Sequence, residues 1–138
     1  MEPFSAEWAA ALERELAVDD EDARAAGRWR ASLLFVQDAE GREATERSVF
    51  LDLAHGSRRA VRQALPDDHR RAHLAVAAPP RVWRRVISGD LDPASAFVGG
   101  ELRLLRGSLF ALLPHLGAAR ALLACARRIP TPLEPLGR

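Results

Sequence analysis

The chain has 138 residues, the length of one ordinary domain, and 48% of them are hydrophobic, enough to bury one core. All 20 basic residues are arginine, which excludes mechanisms that need a lysine. The net charge of +1 gives no reason to expect nucleic acid as a partner, and the single cysteine excludes an internal disulfide. We recognise no signal peptide and no apolar run of membrane-spanning length, so a soluble, cytoplasmic, single-domain protein is expected.

The N-terminal segment is acidic and helical in pattern. Residues 1–27 carry a net charge of −6, which leaves +7 on the rest of the chain. Within this segment, Ser5 is a candidate cap for an amphipathic helix over residues 4–17, and Gly27 is a candidate end for one further helical turn. Apolar residues recur every fourth position at Phe4, Trp8, Leu12 and Leu16. We expect this stripe to be buried, against the rest of the chain or against a second copy.

The pattern then changes to the two-residue period of strands. Alternating apolar residues predict strands over residues 28–37, 46–54, 58–65, 72–78 and 101–106. Helical patterns follow at residues 80–89, 93–98 and 108–128, with a kink or break expected at Pro114. The predicted fold class is α+β, with one five-stranded, mostly antiparallel sheet covered by helices. The predicted divisions are an acidic helical segment (1–27), a main domain (28–128) and a proline-rich tail (129–138).

Residues that could carry chemistry are few. His69 and His73 would share one face of a helix and could bind a metal, or both could be solvated beside a turn. Cys125 could be a reactive thiol, or a small buried hydrophobic residue on a helix. The pairs Arg84-Arg85 and Arg127-Arg128 could contact anionic head groups, or belong to solvated helix faces. We predict no catalytic residue, no metal and no cofactor.

Large apolar residues are concentrated late in the chain. Those of interest fall within fifteen residues, at Leu102, Leu104, Leu109, Phe110, Leu112, Leu113 and Leu116. Ordinary core packing under a single sheet accounts for most of these, although Phe110 lies off the main helical stripe. The alternative is an apolar tunnel between the sheet and a kinked helix.

Three stretches of the sequence form a recognisable set. They are Pro66-Asp67-Asp68, His73-Leu74-Ala75-Val76 and the run from Trp83 to Leu104. Together they resemble the sterol carrier protein 2 family. That run contains a Gly-x-Leu-x-Pro turn at Gly89, Leu91 and Pro93, then a short helix, a glycine and a strand in the family's order. The resemblance covers roughly residues 25–125. The chain departs from the family at residues 104–108, where one extra residue suggests a β-bulge, and at Pro114 in the closing helix.

The resemblance implies a non-catalytic lipid-binding domain that holds a fatty acid, an acyl chain or a sterol-like molecule between sheet and helices. The candidate lipid-binding residues are Leu33, Phe35, Phe50, Val86, Phe97, Val98, Leu102, Leu104, Leu109, Leu112, Leu113 and Leu116. No stable membrane insertion is expected, and a homodimer is allowed. Two alternatives are an interaction domain of the same fold with a filled core, and an enzyme accessory domain that is expressed alone.

Overall fold

The computed structural model describes residues 2–40, 45–55 and 58–130. The predicted tail therefore lies outside the described residues from residue 131 onward. The helices and strands, in chain order, are α1 (Ala6–Ala17), α2 (Glu21–Gly27), β1 (Ser32–Gln37), β2 (Arg47–His55), β3 (Arg58–Gln63), α3 (Asp68–Arg71), β4 (Leu74–Ala78), α4 (Pro80–Ser88), α5 (Pro93–Val98), β5 (Arg103–Arg106), α6 (Leu109–Leu112), a 3-10 turn (Leu113–His115) and α7 (Leu116–Arg127).

The five strands form one sheet in the order β3-β2-β1-β4-β5, which confirms the predicted α+β class. Only β1 and β4 pair in parallel, and the other described pairs are antiparallel. Strand β1 begins at Ser32 and not at residue 28. The reason is that the amide groups of Arg28 and Trp29 still donate to carbonyls at the end of α2, at 3.2 Å each. Between β4 and β5 the register skips Leu105, which is the bulge that the sequence predicted.

Helix α1 is part of the main core. Ser5 caps it by accepting a hydrogen bond from the Trp8 amide at 3.1 Å, and Asp20 caps α2 through the Ala23 amide at 2.8 Å. The predicted stripe is fully buried against the same chain, at Phe4, Trp8, Leu12 and Leu16. The stripe is therefore not available for pairing with a second copy, which removes one of the two expected environments.

The sheet has apolar residues on both faces. The larger cluster lies between the sheet and the helices, and includes Leu33, Val49 and Leu51. The opposite face carries a smaller cluster of Leu34, Val36, Phe50, Ala72, Ala75 and Ala77. Next to this smaller cluster lies α3, a four-residue helix that the sequence analysis did not predict. Its first residue, Asp68, is fully buried.

The closing helix is interrupted where Pro114 predicted. Because proline has no amide hydrogen, the chain passes through a 3-10 turn before α7 begins at Leu116. By length and composition alone, the segment Leu109–Arg127 is apolar enough to cross a membrane, contrary to the expectation that the chain has no such run. Its inner side is buried in the main core, at Ala121, Leu122, Leu123, Cys125 and Ala126. In the most apolar window of this segment 33% of the residues are buried, so one side of it packs on the core.

Candidate functional site: an apolar cavity between sheet and helices

A cavity lies between β1 and β4 of the sheet on one side and α4, α5, α6 and α7 on the other. Its volume is about 40 Å³, and the free space around it, including the part open to solvent, is about 420 Å³. Among the described residues, no charged side chain lines it. The lining residues are Trp29, Phe35, Leu74, Val76, Trp83, Val86, Pro93, Phe97, Leu102, Leu112, Leu116, Ala119, Leu122 and Leu123.

Aromatic side chains fix the sheet side of the cavity. The Trp83 indole nitrogen donates to the Val36 carbonyl at 2.8 Å, so α4 is held to β1 and the indole ring stays in place. The Phe35 ring packs against this indole with 5.1 Å between centroids. Near the start of β1, the Trp29 ring stacks on His115 at 5.7 Å. This wall is therefore rigid and well packed.

The outer wall is made of two short helices with few buried side chains. In α5 only Pro93 and Ala96 are buried, and in α6 only Leu112. Asp92 caps α5 and also binds Arg120 on α7, with oxygen–nitrogen distances of 2.8 and 3.2 Å. The Arg120 guanidinium holds the pKa of the Asp92 carboxyl below its ordinary value of 3.8. One end of α5 is thus tied to α7, while α6 is attached mainly through Leu112.

The structure brings six of the twelve candidate lipid-binding residues to the cavity wall. They are Phe35, Val86, Phe97, Leu102, Leu112 and Leu116. Three others pack in the main core without lining the cavity, and these are Leu33, Leu104 and Leu109.

The remaining three candidates lie elsewhere, and their predicted placement was wrong. Phe50 is on the opposite face of the sheet, because β1 and β2 pair it with Leu34 and not with Phe35. Val98 is 83% exposed, since it is the last residue of α5 and follows the inward-facing Phe97. Leu113 is 49% exposed, because the 3-10 turn rotates it away from the side that Leu112 occupies.

Eight lining residues were missing from the candidate set, although the sequence contained signals for several of them. Leu74 and Val76 are the inward residues of the predicted fourth strand, and Trp83 belongs to the predicted apolar side of α4. Trp29 falls on the same alternating face as Leu33 and Phe35 in the predicted first strand. Leu122 and Leu123 come from α7, well after the break at Pro114.

The other candidate groups serve the fold. Helix α3 ends at Arg71, so His69 and His73 do not share a helix, and His73 Nδ1 lies 2.9 Å from the Ser32 amide nitrogen. Among the described residues, no group of three or more His, Cys, Asp or Glu could hold a metal ion. Burial raises the pKa of the Cys125 thiol to about 11, which makes it a poor nucleophile.

The arginine pair at the end of α7 is also used internally. The Arg127 guanidinium donates to the Ile87 carbonyl at 3.0 Å, and Arg128 binds Asp20 at 2.6 Å. Arg85 lies 3.6 Å from a carboxyl oxygen of Glu101. The structure therefore does not support the alternative in which Arg127 and Arg128 contact anionic head groups.

Comparison with known proteins identifies the fold. No protein-family model matches the sequence, and no curated protein matches it. A crystal structure of sterol carrier protein 2 has 29% sequence identity and a TM-score of 0.78, over 94% of this chain and 100% of that one. The solution structure of a conserved hypothetical protein from Thermus thermophilus, possibly a sterol carrier protein, has 29% identity and a TM-score of 0.77, over 97% and 94%.

A more distant structure shares the fold. The sterol carrier protein 2 of Aedes aegypti, solved in complex with palmitate, has 16% identity and a TM-score of 0.52, over 86% of this chain and 98% of that one. The chain is therefore an α+β protein with helices covering one face of a five-stranded sheet. Within that class it has the sterol carrier protein 2-like fold, and the resemblance found in the sequence is confirmed.

Proposed function

We propose that the protein binds and carries, without catalysis, a lipid with a long apolar part, and that it does so in the cytoplasm. The ligand class is a fatty acid, an acyl chain or a sterol-like molecule. The observation that carries this proposal is the cavity wall, which consists of fourteen uncharged, predominantly apolar side chains between sheet and helices. Such a wall suits a ligand that is bound by burial, since each buried methylene contributes about 0.8 kcal/mol.

The chemistry of the lining supports binding over catalysis. The fourteen lining side chains include no carboxylate, histidine, cysteine or hydroxyl group. They therefore offer no nucleophile and no general acid or base to a bound molecule. The structures with this fold include carriers, and the Aedes aegypti protein was solved with palmitate, which supports the same ligand class here.

Binding requires the outer wall to move. A cavity of about 40 Å³ holds a few water molecules, whereas ligand pockets usually enclose roughly 300–1,000 Å³. Helices α5 and α6 are six and four residues long, and glycines with positive φ, Gly100 and Gly107, flank β5 between them. We propose that these two helices shift outward around the ligand while Trp83 and Phe35 keep the sheet side in place.

Filling the cavity tests the proposal. Leu112→Trp places a large ring in the space between α6 and the sheet, and we expect it to reduce the affinity for a fluorescent fatty acid at least tenfold. Leu113→Trp is the matched control, because it adds the same ring to the neighbouring residue on the exposed side. We expect the control to bind as the wild type does.

Measuring the thermal midpoints of both variants distinguishes a loss of lipid binding from a loss of folding. A Leu112→Trp protein that is folded and binds the fatty acid with wild-type affinity would contradict the proposal. If the wild type itself binds no lipid, and Leu112→Trp loses about 1–3 kcal/mol of stability through overpacking, the filled-core alternative would replace it. Sedimentation of the same samples would test whether the chain forms the homodimer that the sequence allows.

A further inference from the structure

The outer wall of the cavity presents apolar side chains to solvent as well as to the cavity. Phe110 on α6 is 86% exposed, and Leu113, about one turn further along, is half exposed. Pro114 and Gly117 follow at helical spacing and are exposed too. These four residues form one stripe without a polar side chain, which we name the Phe110 face.

The second helix of the outer wall has the same character. Val98, at the end of α5, is exposed, while its neighbour Phe97 lines the cavity. In α6, Leu112 lines the cavity and Leu113 follows it on the exposed side. A single exposed apolar residue is common on soluble proteins. An aromatic ring and a leucine side by side on one helical face form a patch, and such patches mark sites of interaction with a protein or a membrane.

The charges that flank the Phe110 face favour an anionic partner. Residues 102–133 contain five arginines and no acidic residue. Arg103 and Arg120 are paired with aspartates from other parts of the chain. Arg106, which is exposed shortly before α6 begins, forms no salt bridge with any residue that the structure describes. An unpaired guanidinium therefore borders the apolar stripe, with no nearby carboxylate in the sequence to compensate it.

A bilayer that contains anionic phospholipid fits this surface better than a second copy of the chain. In a two-fold dimer the same patch meets itself, so the Arg106 side chains of both copies would flank one contact and repel each other. Four residues are also few, since each partner contributes roughly 20–30 residues to a stable interface. A phospholipid surface offers acyl chains to Phe110 and Leu113, and phosphate groups to Arg106.

We propose that the Phe110 face docks on an anionic phospholipid bilayer, with Phe110 and Leu113 at the boundary of the acyl chains and Arg106 at the phosphates. The contact is peripheral, because the inner side of α7 stays buried in the core. The inference goes beyond the carriage of a lipid, since it assigns a surface and a partner. Docking would place the outer wall of the cavity against the membrane, where a lipid enters without crossing water.

Sedimentation with vesicles separates the apolar part of this surface from the charged part. The full chain is mixed with vesicles of phosphatidylcholine alone, or of phosphatidylcholine and phosphatidylglycerol in equal parts. The wild type should bind the anionic vesicles at least about fivefold more tightly. Phe110→Ser should weaken binding to both kinds of vesicle about tenfold, because it removes apolar area. Arg106→Gln should weaken binding to the anionic vesicles about fivefold and leave binding to phosphatidylcholine unchanged.

The matched controls are Leu65→Ser and Arg70→Gln. They remove an exposed leucine and an exposed arginine at α3, next to the smaller cluster on the opposite face of the sheet. Both should bind vesicles as the wild type does, and all four variants should keep the wild-type thermal midpoint because each changed side chain is exposed. Equal losses in Phe110→Ser and Leu65→Ser, or a wild type that binds neither kind of vesicle, would overturn the inference.

The other occupant of the Phe110 face is distinguished in the same samples. A dimer that Phe110→Ser abolishes, in a wild type that leaves the vesicles unbound, would assign the face to a second copy. The proposed function fails separately, because fatty-acid binding is measured without vesicles and vesicle binding without fatty acid. A chain that docks on vesicles and binds no fatty acid would contradict only the proposed function.

Discussion

Arg59 links three elements through a few specific contacts. Its Nη1 atom donates to the Leu16 carbonyl at 2.6 Å and to the Ala23 carbonyl at 2.9 Å, so β3 is tied to the end of α1 and to α2. Gly27 leaves the space for this guanidinium. A Cβ atom at residue 27 would lie 2.2 Å from Arg59 Nη2, much closer than two such atoms can approach.

Gly27→Ala should therefore be destabilising even though alanine favours helices. We expect a loss of about 1–2 kcal/mol in urea unfolding, because Arg59 would give up hydrogen bonds to two carbonyls. In an Arg59→Ala background the same substitution should be neutral or should stabilise by up to ~1 kcal/mol through helix propensity. Equal losses in both backgrounds would show that the guanidinium is not the cause.

Asp68 is a buried carboxylate with a strong partner. It accepts two hydrogen bonds from Arg62, at 2.6 and 3.1 Å, and one from the Leu65 amide at 2.6 Å. The hydrogen bond from Arg62 holds the pKa of the Asp68 carboxyl below its ordinary value of 3.8. The folded protein therefore favours the ionised form. The resulting stabilisation is fully present above the ordinary pKa and is lost as the pH falls through the lower pKa of the folded state.

Asp68→Asn should lower the free energy of unfolding at neutral pH by about 2–3 kcal/mol, with the half-exposed Arg62 limiting the loss. It should also make stability fall less steeply than in the wild type as the pH drops below 3.8. The matched control is Asp67→Asn, at a neighbouring carboxylate whose ion pair with Arg70 is exposed. Urea unfolding across this pH range measures both effects, and equal behaviour of the two variants would refute the assignment.

At the scale of elements, α1 is integral to the fold. The Phe4 ring lies edge-on to both Trp8 and Trp83, with 5.1 Å between centroids in each pair. Phe4 has a φ of +68°, a conformation that costs energy for a residue with a Cβ atom and here turns the ring into the core. The Glu13 carboxylate accepts a hydrogen bond from the Val61 amide at 2.9 Å, so α1 also provides a partner for a backbone amide of the edge strand β3.

Trp8→Ala should destabilise the protein by about 3 kcal/mol or more, the usual cost of removing a buried aromatic side chain. Val18→Ala, at an exposed apolar residue just after α1, should change stability by less than about 0.5 kcal/mol. Chemical unfolding of both variants checks the difference. A Trp8→Ala protein as stable as the wild type would mean that α1 does not hold the core together.

The sequence predicted the elements whose signals are local and periodic. The five strands and the break at Pro114 are of this kind, since alternation and a missing amide hydrogen act within a few residues. Helix α3 was not predicted because its four residues are too few to show a helical period. It is held by Arg62 and Asp68, a pairing that residue patterns do not reveal.

Half of the candidate lipid-binding residues line the cavity for a related reason. Phe97, Leu112 and Leu116 follow helical spacing, which fixes the side of the helix on which they lie. Phe50 was misplaced although alternation in its own strand, where Val49, Leu51 and Leu53 share the other face, already argued against its assignment. The contribution of α7 depends on how helices pack across the sheet, which is set by tertiary structure.

At the scale of the whole molecule, part of the uneven charge is balanced within the chain. Arg128 at the end of α7 lies 2.6 Å from Asp20 and 3.7 Å from Glu15, and it also contacts Asp22. The acidic N-terminal segment thus binds the end of the helix that lines the cavity. Because these groups are partly exposed, salt should weaken the contacts. Three carboxylates of the acidic segment are therefore used in contacts within the chain.

The central claim is that the space between sheet and helices accepts a lipid. Native mass spectrometry of the purified full chain, after incubation with vesicles that contain fatty acids and sterols, tests it most directly. We predict one lipid mass per chain in the wild type and in Leu113→Trp, and bare protein for folded Leu112→Trp. A wild-type chain that stays bare at all lipid concentrations, or a lipid adduct that Leu112→Trp retains in full, would contradict the claim.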